Sequence, residues 1–449
     1  SKIDSNFTLN YNMIEFGKLS LLVNDKSLSF PDFKIKKIDN KFLVSGNFTN
    51  DDLTLNNEEI KVLFGKNTST IDVDSIKFKS DNEFTFEINK KLTIDKIKIN
   101  SNVLVKDLTV KNQDLSEYFP KSDKEIKFKN HQIQINFQNN QLGIEGSGNV
   151  SLEKDEKIKY KIFKENKKII FDSSLEVSES KFNLNHLNYK KKSESILNIN
   201  IKGGKGIKNN FYFDEILLTE KDNVIKIKNL FLRNDLTFNK FEKIDLNYLD
   251  IDNIKNNISI IRKSKNYIIN GDILNINKIT DDLLESDNTK QNIFSENFRV
   301  DLNIKKVYLD KDNFLKNLKG YLNFKKGVIN QAKLASKFSN GSKIKFTVES
   351  NNGETITTLF SEKAKPLVDR YKFVKGFNEG SLDFYSAKRN DISNSTLKIY
   401  DFKLKELPAL TKLLTLASLQ GIADLLSGEG IRFTDFEMNF ENKDQIMTI

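Results

Sequence analysis

The chain has 449 residues, 38% of them hydrophobic and 30% charged, with 35 phenylalanines, enough apolar material for folded structure and too much for disorder throughout. Lysine and arginine outnumber aspartate and glutamate by 72 to 62, yet only six of the basic residues are arginine and the lysines are spread through every segment. That pattern argues against nucleic-acid binding, which favours arginine concentrated on one face. The absence of cysteine excludes disulfides, thiolate nucleophiles and Cys-ligated metals.

In chain order, the opening stretch from Ser1 lacks a basic-then-apolar leader pattern, as expected of a fragment cut from a longer protein. Period-two alternation then dominates, and each run reads as a half-buried strand. Ile76 and Phe78 alternate with lysines, Phe84, Phe86 and Ile88 with Thr85 and Glu87, and Ile97 and Ile99 with lysines. The pattern returns at Ile133, Ile135 and Phe137, then at Ile158, Tyr160 and Ile162, and at Leu197, Ile199 and Ile201. It closes with Ile344, Phe346 and Val348, and with Leu397 and Ile399.

Polar triplets read as turns between the strands: Ser80-Asp81-Asn82, Gln138-Asn139-Asn140, Glu165-Asn166-Lys167 and Asn351-Asn352-Gly353. Short turns fit antiparallel hairpins and disfavour parallel α/β folds. Helical patterns are few, at 279–284, 314–318, 364–374 behind the start signal of Pro366, and 407–426. The last is interrupted by Lys412, Gly421 and Asp424, which suits two short helices better than a membrane span. The polar stretch 285–297 marks one soft boundary, so the chain divides into 1–290 and 291–449, the second carrying a helical insert near 405–427.

No catalytic constellation emerges. His131 and His186 stand far apart in strand-like contexts and read as structural, and no metal or cofactor is indicated. Gly146-Ser147-Gly148 and Gly203-Gly204-Lys205-Gly206 lack Walker spacing and a following helix, and read as turns or bulges.

A strand with one apolar face must bury it against a second sheet, against its own sheet closed into a barrel, or against a ligand, and alternation alone leaves these alternatives open. About thirty strands stacked at about 4.8 Å would give a sheet on the order of 140 Å long, which favours curling into a trough.

Residues 401–436 read DFKLKELPALTKLLTLASLQGIADLLSGEGIRFTDF. This segment resembles the AsmA-like family, in its YhdP-type C-terminal region, where a strand runs into a leucine-rich signature. Pro408, Leu410, Leu413, Leu414, Ser418, Leu419, Gly421, Leu425, Leu426, Ser427, Gly428, Gly430, Ile431 and Phe433 fall on that signature. Upstream, Tyr371, Val374, Gly376, Gly380, Leu382 and Phe384 are similar to the family's helix-to-strand segment, with Glu379-Gly380 in place of its double glycine.

The resemblance implies an all-β fold of the repeating β-groove type: an elongated, curved antiparallel sheet with an apolar inner surface and a few short helices. It implies that the apolar-face residues from Ile76 through Ile199, with Ile344, Phe346 and Val348, line a lipid groove. Pro408, Leu410, Leu413, Leu414, Leu425 and Leu426 would form a helical element at the groove's end, either guiding lipid or simply covering the sheet. The expected work is non-enzymatic: conducting phospholipid acyl chains between the inner and outer membranes of a Gram-negative envelope. The partners implied are phospholipids, the inner membrane through an N-terminal anchor outside this chain, and other envelope proteins, with a periplasmic location. The alternative is a scaffold for outer-membrane assembly that acts through protein contacts.

Overall fold

The structure is a computed structural model that describes every residue except 1, 24–25, 65–71, 112–113, 207–209, 279–296, 372–375, 391, 406–429 and 444–445. The helical readings at 279–284 and 407–426, the six groove-end residues and the soft boundary near 290 therefore lie outside the described residues. Among those described, 26 strands carry the main ladders, and the only other sheet is the ribbon Asn183–Leu184 with Tyr189–Lys190. The chain is all-β with short helices, as the alternation led one to expect. It packs as two units, Ser1–Glu242 and Lys243–Ile449.

The first unit is a meander in which strands adjacent in sequence pair antiparallel. Lys26–Ile38, Lys41–Asn56, Asp72–Asn89, Ile94–Lys111, Ile126–Gln138, Gln141–Ser151, Asp155–Glu165 and Lys168–Val177 follow one another in this way. Local pairing of this kind follows from the two-residue turns at 39–40, 139–140 and 166–167, where Asp39, Asn139, Asn140 and Asn166 adopt positive φ.

One sequence expectation is corrected here. Ser80-Asp81-Asn82 is no turn: it sits inside the 18-residue strand Asp72–Asn89, with Ser80 and Asn82 buried. The Asn82 amide donates to Ser80 Oγ at 2.8 Å and to the Phe48 carbonyl at 3.1 Å, Ser80 donates to Asn50 Oδ1, and Asn50 donates to the Phe78 carbonyl at 3.0 Å. Polar side chains that satisfy one another across the ladder replace the water a turn would have offered. Gly146 and Gly148 lie within the strand Gln141–Ser151, with Gly148 opposite the register shift between Lys129 and Gln132, a bulge as anticipated. Gly203 stands at a register shift in Leu197–Lys205, a bulge as anticipated.

A helix that alternation did not reveal, Asn57–Phe64, follows the strand Lys41–Asn56. Its start is a reciprocal capping box: the Glu59 amide donates to Asn56 Oδ1 at 3.0 Å and the Asn56 amide to Glu59 Oε2 at 2.9 Å. Replacing Asn56 with alanine is expected to cost about 1 kcal/mol, read as faster hydrogen exchange across the helix.

The second unit repeats the meander from Lys243–Leu249 to Asn266–Asn275, then breaks it. Asn266–Asn275 pairs parallel with Phe298–Tyr308, and antiparallel order resumes from Phe314–Lys325 to Ile431–Lys443. The helix read at 314–318 is a strand, Phe314–Lys325. Asn317 at φ 55 inserts a bulge that puts buried Leu315 and half-buried Leu318 three residues apart, imitating helical spacing. The helix expected from residue 364 is present as Lys365–Tyr371. Beneath it Ala364, Val368, Phe377, Leu382, Leu397, Ile399 and Phe402 form a buried core. The Arg370 guanidinium donates to Asn277 Oδ1 and O, both at 2.8 Å, which ties the helix to the end of the antiparallel run.

Candidate functional site

The candidate site is the apolar face of the first unit's sheet. The ladder registers place the sequence-derived residues in rows across successive strands. Phe84, Ile99, Phe137 and Leu142 lie opposite one another in turn, and so do Ile135, Ile144, Ile162 and Phe171. Ile133 pairs with Val103, Ile158 with Leu175, and Leu175 with Ile199. Ile76, Phe78, Phe86 and Ile88 continue the face along Asp72–Asn89, and Ile97 returns to it beside the bulge at Lys96.

Every one of these side chains, with Tyr160, is only half-buried, while Leu197 at the end of the face is buried. The central residues of a two-sheet sandwich would be closed off from water. In the second unit Ile344 and Val348 are buried and Phe346 half-buried, so that part of the assignment falls nearer to core.

Sequence reading missed the start of the face. Rings of Phe7, Phe16, Phe33 and Phe84 follow one another at centroid distances of 5.8, 5.2 and 6.0 Å, with Phe30 beside Phe33 and Phe48 beside Phe84, each at 6.1 Å. Phe33 and Phe84 flank Gly46, where an added Cβ would lie 2.3 Å from the Asp32 carbonyl oxygen. The alternation of Lys26–Ile38 is broken at Pro31 and Asp32 by a register shift, which hid Phe30 and Phe33 as members of one run.

The lining is not uniformly apolar, because Asn50, Ser80, Asn82 and Ser101 form a buried polar patch on the same face. His131 is also there, nearly closed off from solvent. Its Nε2 donates to the Asn149 carbonyl at 3.0 Å and its Nδ1 accepts from the Tyr160 hydroxyl at 3.2 Å. Burial lowers its pKa, so the ring stays neutral and structural. Gly146 and Gly148 give these rings their room: a Cβ would lie 2.5 Å from the Tyr160 ring and 2.4 Å from that of His131. His186 is exposed near Glu117, and among the described residues no cluster of His, Asp and Glu is arranged to hold a metal.

The opposite face is polar. A cavity of about 700 Å³ is lined by Lys79, Asp81, Gln132, Glu145, Lys161 and Asp172 together with Leu104, Ile133 and Tyr160, with Lys161 paired to Glu145 at 2.9 Å.

The two rims of the first unit differ. One is knit by buried carboxylates. Glu156 accepts the amides of Ser178 at 2.7 Å, Glu179 at 2.9 Å and Ser180, and the Ser178 hydroxyl at 2.8 Å. Glu220 accepts the Tyr189 hydroxyl at 2.7 Å, the Lys192 amide at 2.8 Å, the Asn223 amide at 3.1 Å and the Ser195 hydroxyl. Burial would raise both pKa values, but the converging donors outweigh it and hold both carboxyls below their usual range.

The other rim is a row of open hairpin tips. Lys36, Lys37 and Lys41 surround Asp39 on one tip, Lys90, Lys91 and Lys96 stand on the next charged one, and Lys164, Lys167 and Lys168 on a third. The acids on these tips are fewer, Asp39, Asp95 and Glu165, and Glu87 just inside them is held by Lys41 at 2.8 Å and Lys96 at 2.7 Å. Comparison of the chain with family models, with curated proteins and with solved structures finds no match in any of the three.

Proposed function

We propose that this chain holds phospholipid acyl chains along the apolar face of its sheet, as a non-enzymatic conducting element between the two membranes of a Gram-negative envelope. The observation that carries the reading is the state of that face: rows of Ile, Leu and Phe in register over successive strands, half-buried and uncovered by a second sheet among the described residues. Burying a methylene gains about 0.8 kcal/mol, so a two-chain lipid with about thirty of them gives up on the order of 20 kcal/mol on entering water. A continuous apolar track offsets most of that loss without any reacting group. The resemblance of residues 401–436 to the AsmA-like signature supports the same reading.

Native mass spectrometry of the purified chain tests it. Adducts with phospholipid mass, removed by detergent and regained on incubation with vesicles, are expected. A chain that stays lipid-free after incubation, or that captures envelope proteins by crosslinking and never lipid, overturns it in favour of the scaffold reading.

A further inference from the structure

The geometry points to the rim of hairpin tips in the first unit as a docking surface for an anionic lipid bilayer. Three observations converge on it. The first is charge. The tips at 36–41, 90–96 and 164–168 carry a clear excess of lysine, and Lys36, Lys37, Lys90, Lys91, Lys167 and Lys168 are exposed and form no ion pair among the described residues. The opposite rim offsets its lysines with Glu58, Glu59, Asp72, Asp74, Glu153 and Asp155. Lysine beside an anionic bilayer gains attraction that falls off within a Debye length, so a surface of this kind works only where it comes close to the headgroups.

The second is the apolar side chains set among those lysines. Ile38, Phe42, Ile94, Phe163 and Ile170 are exposed at the same tips. Alternating cationic and apolar side chains suit the boundary between headgroups and acyl chains, where one enters the apolar layer and the other reaches phosphate.

The third is backbone strain. The turns at 89–93 and 233–237 share one hydrogen-bonding pattern. Leu92 donates to Asn89 O at 2.9 Å inside an Asn89-to-Thr93 bond of 3.1 Å, and Leu236 donates to Arg233 O at 3.0 Å inside an Arg233-to-Thr237 bond of 2.9 Å. The same pattern occurs at 250–254 and 338–342, where the left-handed position is taken by Asn253 at φ 60 and Gly341 at φ 92. Those residues occupy that conformation at little cost. On the first unit's rim it is taken by Leu92 at φ 56 and Leu236 at φ 64, with 82% and 61% of their surface exposed. Each leucine is unfavourable in backbone and in hydration alike, and insertion into a bilayer relieves the second cost.

The test uses the full chain and co-sedimentation with vesicles, either pure phosphatidylcholine or phosphatidylcholine with phosphatidylglycerol. Binding to the anionic vesicles alone, weakened by salt, is expected. Lys90→Glu with Lys91→Glu should weaken it about thirty-fold. Leu92→Asn with Leu236→Asn should weaken it about tenfold or more, while the melting temperature stays level or rises because asparagine suits the turn. A merely structural leucine would give the reverse, lower stability and unchanged binding. The inference is overturned if the chain ignores anionic vesicles, if it binds zwitterionic ones equally, if it binds a polyanion such as heparin as tightly as the vesicles, or if both double variants bind like the parent. It stands apart from acyl binding on the sheet face: co-sedimentation reads the rim and lipid adduct mass reads the face, so each fails separately.

Discussion

Replacing Glu156 with alanine is expected to loosen the segment 178–196, at a cost on the order of 3–5 kcal/mol. The carboxylate is closed off from solvent and is the acceptor for the amides of Ser178, Glu179 and Ser180. The Ser180 bond is buried and those of Ser178 and Glu179 partly so; a buried amide that loses its acceptor costs about 1–3 kcal/mol, and alanine removes the acceptor of all three at once. In an extended meander the loss stays local, so hydrogen exchange at those amides reports it better than a global melt.

The same group gives the protein an acid limit. The folded-state pKa of Glu156 lies below its ordinary value of 4.5, so its contribution is complete above that value and is lost as pH falls through the folded one. Glu220 behaves alike. Protection of 178–196 should therefore collapse under acid, and Glu156→Gln should begin weaker and show a shallower dependence on pH.

The second large effect concerns function. Ile144 lies directly opposite Ile135 on one side and Ile162 on the other. Ile144→Glu sets a charge in the middle of that row, and an acyl chain laid across it would bury the charge without a partner. Phospholipid retained by the chain should fall at least tenfold by native mass spectrometry, while circular dichroism stays that of the parent, because the site is half open and the carboxylate reaches water. Gln134→Glu, on the opposite face of the neighbouring strand, should change neither. Equal lipid retention in both variants would separate lipid binding from this face.

Much of the face was legible because side chains alternate with period two wherever the strand is regular, as at Ile133, Ile135 and Phe137 or at Ile158, Tyr160 and Ile162. The reading failed where bulges or buried polar groups disturb the period. Ser80 and Asn82 have turn composition, yet Phe78, Ser80, Asn82 and Phe84 keep one unbroken phase, and that continuity was the usable signal. Pro31 and Asp32 broke the phase of a true strand, and Asn317 shifted another strand to helical spacing. The helix from Asn57 was announced only by Asn56 and Glu59, three residues apart, a cue of capping rather than of periodicity. The leucines at the rim escaped notice for a different reason: a left-handed turn position normally filled by glycine or asparagine is invisible until the backbone is seen.

The parallel pairing of Asn266–Asn275 with Phe298–Tyr308 bears on how the second unit is made. Hairpins such as Glu354–Ser361 on Lys343–Asn351 close through a tight turn and form from neighbours as the chain emerges. Tyr267 meets Val300 through a contact between residues far apart in sequence, and bringing them together costs chain entropy before any ladder bond repays it. Joining across that seam is therefore expected to be slower than closing the hairpins on either side of it.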